Sequence, residues 1–256
     1  MGIRARLRNR LQQSRADLFV RLMAPRRGMR VLDLGGGDSS LAERIAHRVP
    51  LRVTVADISD EHAVAALARG FCHQVVPESG ELPFADGSFD VVLCNSVIEH
   101  ATLPKDACRV SVRVPQETWR KSARHSQAGL AREIQRIGRG WFVQTPHRHF
   151  PIDQHVQFPL VHYLSHNATC RVVALTDRFW VKSCLGIVDW ELFTPAQLLE
   201  LFPSARIHVE RFLGLPKSIV AWKAPAPSGE PSDHQEGPRP ELVARHEGTG
   251  HSERGE

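Results

Sequence analysis

One stretch, VLDLGGGDSSLAERIA (Val31–Ala46), joins an apolar run to a helical pattern through three consecutive glycines, with Asp33 before them and Asp38 directly after. Glycine admits close approach of a ligand to the backbone, and open parallel sheets bind ligands where the first strand ends and its helix begins. On the glycines alone, a dinucleotide and S-adenosylmethionine both fit. The acids separate them. A pyrophosphate normally uses the helix N-terminus, and like unit charges about 4 Å apart repel by roughly 4 kcal/mol at an effective dielectric of 20. A ligand with an ammonium and a sulfonium is attracted instead. Ser40 also stands where a dinucleotide fingerprint places its third glycine, counting from Gly35 and Gly37. Asp57, about twenty residues on, suits a ribose diol, which either ligand carries, or caps the next helix.

A second group, His147, His149, Asp153, His155 and Tyr163, follows the apolar run GWFVQTP. These are the titratable side chains placed to act on a bound acceptor, as a general base or a substrate contact. Their spacing matches no common zinc motif, and Pro146 and Pro151 break any helix that would align ligands, so no metal is expected there. The five cysteines form no CxxC pair, which suggests neither a zinc site nor a disulfide framework.

The elements that must position these groups alternate. MRVLDLG, LRVTVADIS, FCHQVVP, SFDVVLCNS and GWFVQTP read as strands, and SSLAERIAHRV, EHAVAALARG and QAGLAREIQRIG as helices. Such alternation implies a parallel sheet covered on both faces. ARIHVERFLGL and KSIVAWKA read as a closing antiparallel pair around a Leu-Pro turn. Residues 102–125 are basic and irregular, and 146–193 form an insertion rich in aromatics and histidine, in which Trp180, Trp190 and Phe193 are expected as core or as an apolar lid. The expected organisation is a basic helix over 1–29, a catalytic domain over 30–223 with 146–193 as a substrate cap, and a disordered Pro- and Gly-rich tail over 224–256.

The formal net charge is +5, and nine arginines against Asp17 in the first thirty residues leave the remainder slightly acidic. Ile3, Leu7, Leu11, Leu18 and Leu22 lie near helical spacing, so this segment is expected to lie across the domain, with weak contact to an anionic surface as the alternative. No nucleic-acid module accompanies the arginines. No apolar run reaches about 18 residues, no secretory signal opens the chain, and a cytoplasmic location is expected. No obligate protein partner is evident.

VLDLGGG, VADIS and ESGELPFADGSFDVVLCNSVIEH, in this order over about seventy residues, resemble the class I S-adenosylmethionine-dependent methyltransferases of the type 11 group. The resemblance implies a Rossmann-like α/β fold with a mainly parallel seven-stranded sheet, a C-terminal antiparallel strand and an inserted substrate-side segment. It implies S-adenosyl-L-methionine as cofactor. By position, Asp33, Gly35, Gly36 and Gly37 would line the methionine side, Asp57 the ribose, Ile58, Glu78 and Ser79 the adenine, and Asn95 and Ser96 the methionyl part. His100 would fall near the substrate, and His149 and His155 beside it as bases or contacts. The expected function is methyl transfer to a small molecule of the sugar, glycan-precursor or lipid-like kind. The alternative is a non-catalytic binding or scaffold protein on the same fold.

Overall fold

The computed structural model describes residues 3–78, 80–108, 113–176 and 188–226. Its centre is a seven-stranded sheet in the order β3-β2-β1-β4-β5-β7-β6. The strands are β1 (Arg30–Leu34), β2 (Arg52–Asp57), β3 (Cys72–Val75), β4 (Phe89–Asn95), β5 (Gly138–Pro146), β6 (Arg206–Phe212) and β7 (Leu215–Lys223). β1 to β5 are parallel, and β7 runs antiparallel to both β5 and β6. The parallel sheet and its one reversed strand agree with the sequence. The last hairpin turns at Leu213–Gly214, both at positive φ, rather than at Leu-Pro; Pro216 lies inside β7.

The central strands β1, β4 and β5 are buried at nearly every position because both faces are covered. On one face pack α1 (Ile3–Met23) and α2 (Ser40–Ala46), through Phe19, Met23, Leu41 and Ile45 onto Val31, Leu93 and Phe142. On the other pack α5 (Gln116–Ile137) and α7 (Pro195–Leu201), through Ile134, Ile137 and Leu198. α3 (Ala63–Ala68) packs on β2 through Ala66, against Val53 and Val55. α7 starts on a capping box between Thr194 and Gln197 with Pro195 in its first turn.

Three expectations change. The segment 102–125 contains the short α4 (Lys105–Cys108) and the first ten residues of α5, so that helix begins well before QAGLAREIQRIG. Its Trp119 is fully buried and stacks on His166 with centroids 3.6 Å apart. The insertion carries α6 (His166–Thr176) and its own small core of Val156, Val161, Cys170, Val173 and Trp190, whereas Phe193 joins the main core. Trp180 and the tail beyond residue 226 lie outside the described residues.

The basic helix is part of the domain. Phe19 is fully buried with its ring 5.3 Å from that of Phe142. Arg15 donates to Asn95 Oδ1 at 2.9 Å and to Glu210 Oε2 at 3.0 Å. No helix among the described residues is long and apolar enough to cross a membrane. Truncating Phe19 leaves a cavity in the face it covers, so Phe19→Ala should lower the unfolding free energy by about 3 to 5 kcal/mol. Urea denaturation followed by tryptophan fluorescence measures this, and a loss under about 1 kcal/mol would show that the helix is not docked.

Candidate active site

The strand order reverses between β1 and β4, which opens a crevice at their carboxyl ends. A cavity of about 360 Å³ lies there, lined by Gly35, Asp57, Ile58, Glu78, Ser96, His100 and Asp189 together with apolar Leu34, Val76 and Leu130. Of the glycine loop, Gly35 lines it. Gly35 has φ +65°, and a Cβ there would fall 2.5 Å from Val97 Cγ2. At Gly36 a Cβ would fall on the Asp33 carboxylate. Gly35 thus makes room for the Val97 side chain and Gly36 for the Asp33 carboxylate.

Asp57 holds the rim. Its Oδ1 accepts from Ile58 N–H at 2.7 Å and its Oδ2 from Gly37 N–H at 3.3 Å, tying β2 to the glycine loop. Asp38 accepts from Ser40 N–H at 3.1 Å. Asp33 is 2% exposed, and its Oδ2 has no hydrogen-bond partner among the described residues. Burial, and then the charges of Asp57 and Asp38, push its pKa up from 3.8 to about 7.

The motif LPFADGSFDVV is pinned from a distance. Leu82 N–H donates to Glu133 Oε2 at 2.7 Å, and Arg136 donates to the carbonyls of Leu82 and Phe84 and pairs with Asp86 at 2.8 Å. Two residues of α5 therefore hold the loop that forms one wall of the cavity.

Beyond β4, a single 3₁₀ turn (Ile98–His100) presents Glu99 and His100. His100 Nδ1 lies 2.8 Å from Asp189 Oδ1. Glu99 is completely buried; its Oε1 accepts from Ser96 Oγ at 2.7 Å and faces His155 Nε2 at 3.8 Å, and its Oε2 has no hydrogen-bond partner among the described residues. His155 packs edge-on to His100 with centroids 4.8 Å apart and stacks on Trp190 at 4.6 Å. Its Nδ1 lies 3.5 Å from Asp153 Oδ1. Burial alone would hold His155 neutral, but Asp153 and Glu99 outweigh it and raise its pKa to about 9. Burial likewise opposes ionisation of Glu99 and Asp189, and their histidine partners overcome it and lower both.

The backbone assembles this cluster. Glu191 N–H donates to the Glu99 carbonyl at 2.9 Å, and Thr102 Oγ1 donates to the Asp189 carbonyl at 2.8 Å. Segment 188–192 is thereby laid against the turn that carries His100.

Of the residues expected at the site, Gly35, Asp57, Ile58, Glu78, Ser96 and His100 line the cavity. Asp33 in β1 and Gly36 and Gly37 in the loop lie beside it without lining it, and Asn95 turns its amide oxygen to Arg15 of α1. Ser79 lies outside the described residues. His155 joins His100, but His149 does not. It is exposed and grouped with His147 and Tyr163, because its backbone N–H is held by His147 Nδ1 at 2.9 Å. Glu99 and Asp189 were missed. The IEH triplet after a buried strand is a local sign of Glu99, whereas nothing near Asp189 in the chain marks it.

A 3-2-1-4-5-7-6 sheet with a glycine loop after β1 and an acid at the end of β2 defines the class I methyltransferase fold. Residues 32–117 match the sequence pattern of the methyltransferase domain family. The chain is 38% identical over 98 residues to a ubiquinone/menaquinone biosynthesis C-methyltransferase from Rubrivivax gelatinosus, covering 38% of this chain and 39% of that protein. It is 31% identical over 106 residues to the enzyme of that name from Cereibacter sphaeroides, covering 38% and 42%. The chain thus spans about two fifths of the length of the curated relatives it matches. Among solved structures, magnesium protoporphyrin IX methyltransferase from Synechocystis aligns over 84% of this chain and 83% of its own at 14% identity and a TM-score of 0.46.

The raised pKa of Asp33 fixes a sign for stability. Its carboxyl ionises near 3.8 when unfolded and near 7 when folded. The stabilisation is therefore complete below about pH 4 and lost as pH rises through 7, a difference on the order of 4 kcal/mol. Asp33→Asn should remove this slope. Denaturant midpoints from pH 4 to 8 check it, and parallel profiles for the two proteins would exclude the effect.

Proposed function

We propose that the chain is an S-adenosylmethionine-dependent methyltransferase whose acceptor is a small molecule with an ionisable hydroxyl, such as a hydroxylated ring or an enol. The observation that carries this reading is one cavity with two chemistries on its walls: Gly35, Asp57 and Ile58 for a cofactor, and Ser96, His100 and Asp189 for an acceptor.

The residues fit the cofactor. Gly35 and Gly36 leave the backbone bare, Asp57 offers a carboxylate to a ribose diol, and Ile58, 38% exposed, offers an apolar surface to a base. Asp33, with an orphan oxygen under the glycine loop, favours a cation above it. When bound, S-adenosylmethionine supplies a methyl group already activated by its sulfonium.

What remains for the protein is to align an acceptor, exclude water and remove a proton. Asp189 orients the His100 imidazole so that its other nitrogen is available to the cavity. Glu99 and His155 set the local charge beside it. A hydroxyl acceptor needs such a cluster, whereas an amine needs none. The curated relatives are named C-methyltransferases, and methylating carbon on a hydroxylated ring also begins with loss of the hydroxyl proton. This likeness favours a ring hydroxyl over a sugar.

Calorimetric titration with S-adenosylmethionine tests the reading, and absence of binding would remove it. Asp57→Ala should weaken binding by about 1 to 3 kcal/mol through lost charge-assisted hydrogen bonds. Affinity should also rise between pH 6 and 8 as Asp33 ionises, and Asp33→Asn should flatten that rise. His100→Ala should lower turnover by about 10² to 10⁴ while leaving cofactor affinity nearly unchanged. Single-turnover methyl transfer from labelled cofactor, on a panel of hydroxylated rings, reads that difference.

A further inference from the structure

We propose that Glu99, His100 and His155 form the binding site for one divalent transition-metal ion of the zinc or manganese class, at the acceptor end of the cavity. The three side chains each offer one donor atom, and these atoms all lie within 4.8 Å of one another. Donors around an ion with bonds of about 2.1 Å sit about 3.4 Å apart, so movements on the order of 1 Å close the shell.

The arrangement behind the donors points the same way. Imidazoles that bind metals usually present the second nitrogen to a carboxylate, which fixes tautomer and ring orientation. His100 has that partner, Asp189 on Nδ1 at 2.8 Å, and Asp153 lies beside His155 Nδ1 at 3.5 Å as an ion-pair neighbour without a hydrogen bond. The hydrogen bond with Asp189 leaves Nε2 as the free nitrogen of His100, and His155 Nε2 already faces Glu99 Oε1 at 3.8 Å. Asp153 is itself fixed, by the N–H groups of His155 and Val156 and by Trp190 Nε1.

Glu99 supplies an independent sign. It is fully buried, Ser96 and His155 face only its Oε1, and Oε2 has no hydrogen-bond partner among the described residues. A buried carboxylate oxygen without a partner is costly. Three carboxylates, Glu99, Asp153 and Asp189, lie beside His100 and His155, so a divalent cation that takes the place of the proton on His155 meets a surplus of negative charge. Two nitrogens and one oxygen suit zinc, manganese or iron rather than an ion that takes oxygen alone. Because Ser96, His100 and Asp189 line the cavity, a remaining coordination position faces it. The ion's role, which rests on the methyltransferase reading, is to take the place of the free His100 nitrogen as the group that lowers the acceptor hydroxyl's hold on its proton, since a nitrogen bound to metal no longer accepts one; its binding does not rest on that reading.

The test uses untagged full-length protein stripped with a chelator, titrated separately with Zn²⁺, Mn²⁺ and Co²⁺, with elemental analysis after gel filtration. The expected result is one equivalent of metal and, for Co²⁺, the visible absorption of a site with nitrogen donors. Glu99→Gln and His155→Asn should weaken binding by at least about 100-fold, and Asp189→Asn by about 10- to 100-fold. Circular dichroism establishes folding, and His100→Asn replaces any variant that does not fold. No uptake by the wild type overturns the site, as does uptake that survives both Glu99→Gln and His155→Asn. S-adenosylmethionine titrated into the same samples separates the two readings. Metal without cofactor binding leaves the ion site and removes the methyltransferase; cofactor without metal does the reverse.

Discussion

The structure is organised by two carboxylates buried at the ends of adjacent central strands. Asp33 lies near the end of β1 and Glu99 just past the end of β4, and these strands pair in parallel with Asp33 beside Leu93. Taking an ionised carboxylate out of water costs several kcal/mol unless it is paired. The fold meets that cost differently at the two positions. Asp33 is surrounded by other acids and holds its proton to about pH 7, whereas Glu99 is held ionised, against its burial, by His155, His100 and Ser96. One site is prepared to gain a positive charge with a ligand, and the other is already partly neutralised by the protein.

This difference explains the shape of the surrounding backbone. Room for a buried Asp33 requires Gly36, because any Cβ there would occupy the carboxylate's position. Room for Glu99 comes from Ser96, whose φ of 59° turns the chain sharply off β4 so that its hydroxyl reaches back to Glu99. A non-glycine residue at positive φ is strained, and here the strain sits next to the proposed acceptor position. The cavity between the two acids follows from the reversal of strand order, which the sheet would create with any side chains.

Legibility in the sequence follows distance along the chain. The cofactor end is built from β1, its glycine loop and the end of β2, all within about thirty residues, and each leaves a local pattern: an apolar run, a glycine cluster, an acid. The acceptor end joins residues 99, 100, 155 and 189, and no periodicity links them. His149 and His155 looked equivalent beside the same strand. They separate because Pro151 and the Ile152–Pro159 bridge turn the chain between them, which leaves His149 with Tyr163 and sends His155 to Trp190. The helix α5 was recognised only in its amphipathic second half; its polar first half is helical because Trp119 docks on His166 and Glu191. Tertiary packing supplied what local pattern did not.

The arginine-rich opening shows the converse, a pattern read correctly as a helix whose charges serve an unexpected purpose. Arg15 spans β4, β6 and β7, through Asn95, Glu210 and, at 3.5 Å, Ser218. Arg44 reaches Asn9 and Gln13, and Arg48 pairs with Asp17, so α1 and α2 are held to each other by polar contacts on top of their shared apolar face. An arginine at 15 that engages Asn95 also fixes where the cavity begins: the amide that family resemblance placed against the cofactor faces α1, and the lining starts one residue later at Ser96. The charge asymmetry of the chain therefore contributes inward, to the wall behind the proposed cofactor site, and the same strand end that is pulled toward α1 by Asn95 is released by the turn at Ser96 to carry Glu99 and His100 to the opposite side.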